Sequence, residues 1–269
     1  MSSALSGGNS LYNLDVEQLQ QLNPDVILTQ SLCDVCSIDL ITVERVVKRM
    51  KMPAKVLDLN PKTLNEVIQD LIRVGEMIGC EEGAQSVAEE LQKRISNATN
   101  NKNDSQNNSE DSAKDDTPRR PNVGFIEWTD PIFVGGHWTP EIIILAGGMH
   151  PLNTPGGKSI ALEDEQFSKS DPDIVIISPC GMNLEKTREL VEIIQRDEKR
   201  KSWFESLRAF KDNKIVLVDG NEMFNRPGPR LVDALEFCSS IIESYKTLGK
   251  DEPFNKLEII PKSFPWAPL

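Results

Sequence analysis

Three sets of side chains in this chain have the types and spacing for chemistry. Cys33-Asp34-Val35-Cys36 is a Cys-x-x-Cys between a strand pattern and a helix pattern, the setting of a redox dithiol or of two metal ligands. Cys180 stands at the corresponding place after a second, similar strand, so Cys33, Cys36, Cys180 and His137 form a candidate tetrahedral zinc set. The alternative is that these thiols are small residues filling tight loops, as expected of Cys80 and Cys238. The second set is Glu127-Trp128 through Gly135-Gly136-His137-Trp138-Thr139-Pro140-Glu141, where a strand ends, a glycine-rich loop follows and a helix begins. Trp128, His137 and Trp138, together with Cys180, are candidate ligand contacts, and a helix start after His137 could bind an anion or carbonyl oxygen. The alternative puts both tryptophans in the core. The third set is Glu222-Met223-Phe224-Asn225-Arg226-Pro227-Gly228-Pro229-Arg230, in which Glu222, Phe224 and Arg226 are candidate ligand residues. A buried arginine there offers planar donors to a carboxylate, amide or phosphate. In the bland alternative Arg226 pairs with Glu222 and braces the loop.

Two familiar arrangements fail. Gly156-Gly157-Lys158-Ser159 resembles the end of a phosphate-binding loop, but Leu152 stands where the first glycine belongs. The two histidines, His137 and His150, lie in one region with no nucleophile near by sequence logic, which argues against a triad.

These residues sit on a duplicated frame. Pro24-Asp25-Val26-Ile27-Leu28-Thr29 recurs as Pro172-Asp173-Ile174-Val175-Ile176-Ile177-Ser178, a turn dipeptide running into an apolar strand. Each copy leads through a helix pattern to a second strand, 55–59 and 215–218. We expect the two copies to lie in different sheets. Thr63 is a good cap for a helix that Gly79 stops, and a further helix fits 84–95. Strand 123–128, a helix starting with Thr139 as cap, a helix over 184–195, a short one over 203–210 and a last one from 229 or 230 to about 245 complete the pattern. Strands alternating with helices imply an α/β fold with mainly parallel sheets. Residues 97–119 are nearly devoid of apolar side chains and are expected to be a disordered insertion. The expected organisation is a shortened N-terminal lobe over 1–80, a bridging helix with the insertion over 81–120, an α/β lobe over 121–245 and an irregular tail over 246–269.

The 269 residues carry a net charge of −12, which argues against nucleic acid as partner. The basic cluster 197–201 is diluted by acids and reads as a solvated helix end. No apolar run reaches the roughly 18 residues of a membrane span. The opening lacks signal-peptide character and the five cysteines are an odd count, so a reducing, cytoplasmic setting is expected.

From Leu11 to about Ser244 the chain resembles the substrate-binding proteins of vitamin B12 and iron-siderophore ABC transporters. The matching pieces are 22–29, the helix 84–95, 123–148 with its closing Ala146-Gly147-Gly148, 171–177, Trp203 with Leu207, 214–218, and Arg226-Pro227-Gly228-Pro229-Arg230-Leu231 opening the last helix. The resemblance implies two α/β lobes joined by a long bridging helix, with ligand between them. It implies that Glu222 and Arg226 contact a corrinoid. Where the family's aromatic contact is expected, this sequence has Ile160 or Ala161. Compared with the family, the first lobe lacks opening strands, so an uncovered sheet there is expected to self-associate or bind a partner protein.

The reading is a non-catalytic protein holding a small molecule, corrinoid-like or a metal chelate, in an inter-lobe cleft. The alternatives are a thiol- or metal-dependent enzyme using Cys33, Cys36, Cys180 and His137, or a scaffold with a vestigial cleft.

Overall fold

A computed structural model describes residues 14–31, 38, 40–51, 53–100, 120–248, 252–254 and 264–269. Its residues form two compact units, one from residues up to 61 with 69–88, the other from 62–68 with 89–269.

In the first unit α1 (Val16–Leu22) starts at Asp15, whose carboxylate accepts the Gln18 N–H, and stops at Asn23 in the left-handed region. Then come β1 (Val26–Thr29), α2 (Leu40–Arg49) and β2 (Lys55–Asp58). β1 and β2 pair in parallel as a two-stranded sheet, Ile27 opposite Val56. Val43 and Val47, one turn apart on α2, are buried, as is Leu57 of β2. No residue of β1 is buried, and Leu22, Leu28 and Ile41 are well exposed. Next come α3 (Leu64–Ile78) and α4 (Glu81–Asn100), each divided between the units. Thr63 caps α3 as expected, its hydroxyl accepting the Glu66 N–H, and Gly79 ends it at φ 74°. A Cβ on Gly75 would lie 2.2 Å from the Ala84 Cβ, so only glycine allows that approach of α3 and α4. α4 outruns the expected 84–95: residues 97–100, assigned to the insertion, are helical. The rest of that expectation, 101–119, lies outside the described residues.

The second unit continues with β3 (Val123–Thr129), β4 (Ile132–Val134), α5 (Thr139–Leu145), β5 (Ile160–Leu162), α6 (Asp164–Lys169), β6 (Ile174–Ile177), α7 (Leu184–Arg196), α8 (Glu198–Ser206), α9 (Arg208–Lys211), β7 (Ile215–Val218), α10 (Arg230–Thr247) and β8 (Trp266–Pro268). The sheet order is β5-β4-β3-β6-β7-β8. β3, β6 and β7 are parallel, while β4, β5 and β8 add antiparallel edges. The two repeat strands, β1 and β6, do lie in different sheets. Every residue of β6 and β7 is buried, as befits central strands covered on both faces. Ile126, Val175, Ile177, Ile215 and Leu217 pack with Val191 and Ile194 of α7, Phe204 of α8 and Phe167. The opposite face carries Phe125, which meets Phe224 at 4.8 Å.

Two expectations are corrected. The tail expected to be irregular supplies β8, because Phe237 of α10 offers an aromatic seat to Phe264 and Trp266 (centroids 6.3 and 6.0 Å) and β7 offers a free ladder edge. Buried Lys214 reaches the same tail, its Nζ donating to the Glu252 carbonyl and lying 4.8 Å over the Phe254 ring. The basic cluster 197–201 is not merely solvated: Asp197 caps α8, and Arg200, largely buried, pairs with Asp164 at 3.3 Å.

The repeated Pro-Asp dipeptide has two fates. Asp25 is exposed, and its carbonyl accepts the Lys55 N–H. Asp173 is buried and accepts from the Asn122 N–H (2.7 Å), Arg208 Nη1 (2.9 Å) and the Tyr245 hydroxyl (3.1 Å), joining β6, α9, α10 and the start of β3.

Candidate functional site

β3 turns at 130–131 into antiparallel β4, whose end leads into loop 135–138, and the carboxyl ends of β6 and β7 carry the loops 178–183 and 219–229, the position where open parallel sheets hold ligands. Main chain laces these loops together. The Cys180 N–H donates to the Glu127 carbonyl (3.1 Å) and the Gly220 N–H to the Met182 carbonyl (3.1 Å). A Cβ on Gly220 would sit 2.3 Å from the Pro179 oxygen, so the loop after β7 needs glycine to approach the loop after β6. Asn225 Nδ2 donates to the Ser178 carbonyl (3.3 Å). Loop 153–159 docks on the first loop: the His137 N–H donates to the Gly157 carbonyl (2.6 Å) and the Gly156 N–H to the His137 carbonyl (2.8 Å).

The seven candidate ligand residues divide. Trp138 is 4% exposed, and its Nε1–H donates to the Phe224 carbonyl at 2.7 Å. Phe224 is equally buried, against Phe125. Both side chains are core, and their expected contact with ligand is corrected: the burial leaves no face for it. They hold the loop after β7 to the loop after β4. Trp128 is half-buried, with Nε1–H on the Asp130 carbonyl (3.1 Å). His137 is half-buried at φ 53°. Cys180, Glu222 and Arg226 are exposed. Glu222 pairs not with Arg226 but with Arg230, at 2.7 Å. Arg230 also reaches Asp233, which together with Glu236 holds Arg94 of α4 at 2.6 Å. Among the described residues Arg226 meets only Asn221 Oδ1, at 3.5 Å.

The expected helix-terminus site is also corrected. α5 has only seven residues, begins at Thr139 itself with Trp138 as its uncapping neighbour, and Glu141 turns away to accept the Leu64 N–H of α3 (2.6 Å). Cys33 and Cys36 lie outside the described residues, so the zinc set cannot be assembled from them; among the described residues no three His, Cys, Asp or Glu side chains converge as metal ligands.

The sequence reading passed over Glu127 as a participant. Its carboxylate accepts the Ser159 hydroxyl (2.8 Å), and burial pushes its pKa above the usual range, against the pull of that bond and of the Gly136 N–H. An acid in an otherwise apolar strand end was the available signal. Burial lowers the His137 pKa, and the Lys158 and Lys62 ammonium groups lower it further. The serine ending β6, Ser178, is fully buried with its hydroxyl unpartnered, so no base activates it.

Solved structures share this fold. An ABC transporter substrate-binding protein from Listeria monocytogenes EGD-e is similar with TM-score 0.64 and 16% identity, over 84% of this chain and 80% of that one. The periplasmic vitamin B12 binding protein BtuF of Vibrio cholerae gives 0.61 and 17%, over 88% and 80%. A periplasmic heme binding protein from Pseudomonas aeruginosa gives 0.63 and 16%, over 86% and 76%. No significant match is found among curated proteins. The periplasmic binding protein family model matches residues 5–221, most of the chain. The chain belongs to the periplasmic binding protein family.

Proposed function

We propose that this chain is a non-catalytic binding protein for a corrinoid-like molecule or a metal chelate, held at the carboxyl edge of the six-stranded sheet. The observation that carries the reading is Arg226. It stands exposed on a loop fixed by Pro227 and Pro229, beside a Glu222 already neutralised by Arg230, and its guanidinium has only the 3.5 Å contact with Asn221. A planar five-donor group left with so little to do, on the edge where parallel sheets bind ligands, suits a carboxylate, amide or phosphate on a ligand's rim. Proteins of this fold whose names give vitamin B12 or heme as ligand support the class.

Thermal unfolding with cyanocobalamin, hemin and ferric citrate tests this. A ligand at a hundred times its Kd adds about 2.7 kcal/mol to stability, a rise in Tm of several degrees. Arg226→Ala should weaken binding by about 1.5–3 kcal/mol, the range for a charge-assisted hydrogen bond. No shift with any of the three would sink the proposal.

A further inference from the structure

Arginine and carboxylate side chains form an unbroken run from the loop after β7 to α4. Arg230, the first residue of α10, holds Glu222 at 2.7 Å through Nη1 and approaches Asp233 Oδ2 at 3.4 Å through Nε. Asp233 presents its other oxygen to Arg94 Nη2 at 2.6 Å. Glu236, one turn further along the same face of α10, takes Arg94 in a two-pronged bond, 2.9 Å from Nε and 2.6 Å from Nη2. Arg94 belongs to α4 and stands 142 residues before Glu236 in the sequence. At the other end of the run, Arg226 lies 3.5 Å from Oδ1 of Asn221, the residue beside Glu222. Two arginines therefore reach neighbouring loop residues, and only Arg230 has the carboxylate.

Charge decides which arginine that is. Within the run, the acids Glu222, Asp233 and Glu236 are matched by Arg230 and Arg94 alone. Arg94 occupies both acids of α10, which leaves Arg230 to Glu222 and Arg226 to solvent. Removing Arg94 leaves two carboxylates three positions apart on one helix face with no guanidinium between them. Arg230 is already beside Asp233 and needs only a small shift to answer them. Glu222, exposed and released, then competes for Arg226 within its own loop. A guanidinium paired inside the protein has fewer donors left for a ligand.

We infer that Arg94 is a positioning residue for the ligand edge: by occupying Asp233 and Glu236 it reserves Arg230 for Glu222 and keeps Arg226 available to a ligand. The inference rests on reading Arg226 as the ligand contact. In this arrangement Glu222 is the ligand's competitor for that arginine.

The test is the rate at which Arg226 reacts with the arginine-selective reagent phenylglyoxal in the full chain, followed by peptide mass spectrometry. Arg188, exposed on α7, is the internal control. Arg94→Met should slow the reaction of Arg226 by about threefold, within the range of exposed ion pairs, and leave Arg188 unchanged. Arg94→Lys, which keeps the charge, should slow it less. Arg230→Met frees Glu222 directly while Arg94 keeps its acids, and it should slow Arg226 at least as much. Glu222→Gln added to either variant should restore the wild-type rate, a rescue that general loosening of the loop would not give. A wild-type rate in both Arg94→Met and Arg230→Met, or slow reaction that persists when Glu222→Gln is added, overturns the inference. The readout needs no ligand, so the two readings fail separately. These rates in a chain that binds none of cyanocobalamin, hemin and ferric citrate would keep the pairing role of Arg94 and remove the proposed function. Binding of hemin by a chain whose Arg226 reacts alike in all variants would do the reverse.

Discussion

Replacing Asp173 should separate the two copies of the Pro-Asp repeat energetically. In Asp173→Ala the buried Asn122 N–H loses its acceptor, at about 1–3 kcal/mol. Arg208 loses the buried one of its two carboxylates and keeps Asp171 at 3.1 Å. Because that arginine is 37% exposed, only part of the roughly 3–5 kcal/mol for breaking a buried pair applies, about 1–2 kcal/mol. The Tyr245 bond adds about 1 kcal/mol. Since the three belong to one network and do not add fully, the expected loss is about 3–4 kcal/mol. Asp173→Asn, which keeps an acceptor oxygen, should lose about half of that. Asp25→Ala, at the exposed copy, should stay within about 0.5 kcal/mol. Urea unfolding followed by tryptophan fluorescence suits the question, because all four tryptophans lie in residues 89–269 and report the second unit. A second readout is the Tyr245 phenol, whose pKa is raised by burial and then by the Asp173 charge and hydrogen bond. It should fall toward its ordinary value in Asp173→Asn, measured against a Tyr245→Phe background. A loss under about 1 kcal/mol in Asp173→Ala, or an equal loss in Asp25→Ala, would refute the hub.

Acidification should destabilise the second unit. Burial holds the His150 and His137 pKa values below their unfolded value of about 6.5, so their contribution is complete above that pH and lost as pH falls through it. Glu127, raised by burial, acts with opposite sign and at lower pH, its contribution present below its unfolded value of about 4.3 and lost as pH rises. Stability should therefore decline from about pH 7 to 5, and His150→Gln should flatten the slope of urea midpoint against pH. Gly136→Ala should cost about 1–3 kcal/mol by forcing apart the backbones of 136 and 157–159, whereas Gly228→Ala, with nothing within 4 Å of its added Cβ, should be close to neutral in the same urea assay. Trp266→Ala should cost about 2 kcal/mol through its packing on Phe237 and raise hydrogen exchange across β7 and β8; unchanged exchange there would show that β8 adds nothing to the sheet.

The parallel centre of the large sheet was legible because β3, β6 and β7 are apolar runs bounded by turn residues, the signature of strands covered on both faces. β4 and β8 were not, since three residues carry no period and their partners are fixed only by the ladder. In the candidate site, Arg226 was singled out from the prolines and glycine around it and expected to be buried, but it stands exposed. Trp138 and Phe224 were misread because a tryptophan after Gly-His looks the same whether its ring faces solvent or core; the bond from Trp138 to the Phe224 carbonyl joins residues far apart in the chain. One of the two alternatives for Arg226 paired it with Glu222, but the loop instead brings Arg230 to that carboxylate.

β8 bears on how the chain is made. About fifty residues separate the end of β7 from the strand that covers its outer edge. At ribosomal rates of about 5–20 residues per second, several seconds pass between synthesis of Val218 and of Trp266. Throughout that interval the Ile215-Val216-Leu217-Val218 ladder is a bare, uncharged strand edge, the kind that captures other chains. Nascent second units should thus be most vulnerable to aggregation, and most in need of a chaperone, while the ribosome is translating residues 219–268.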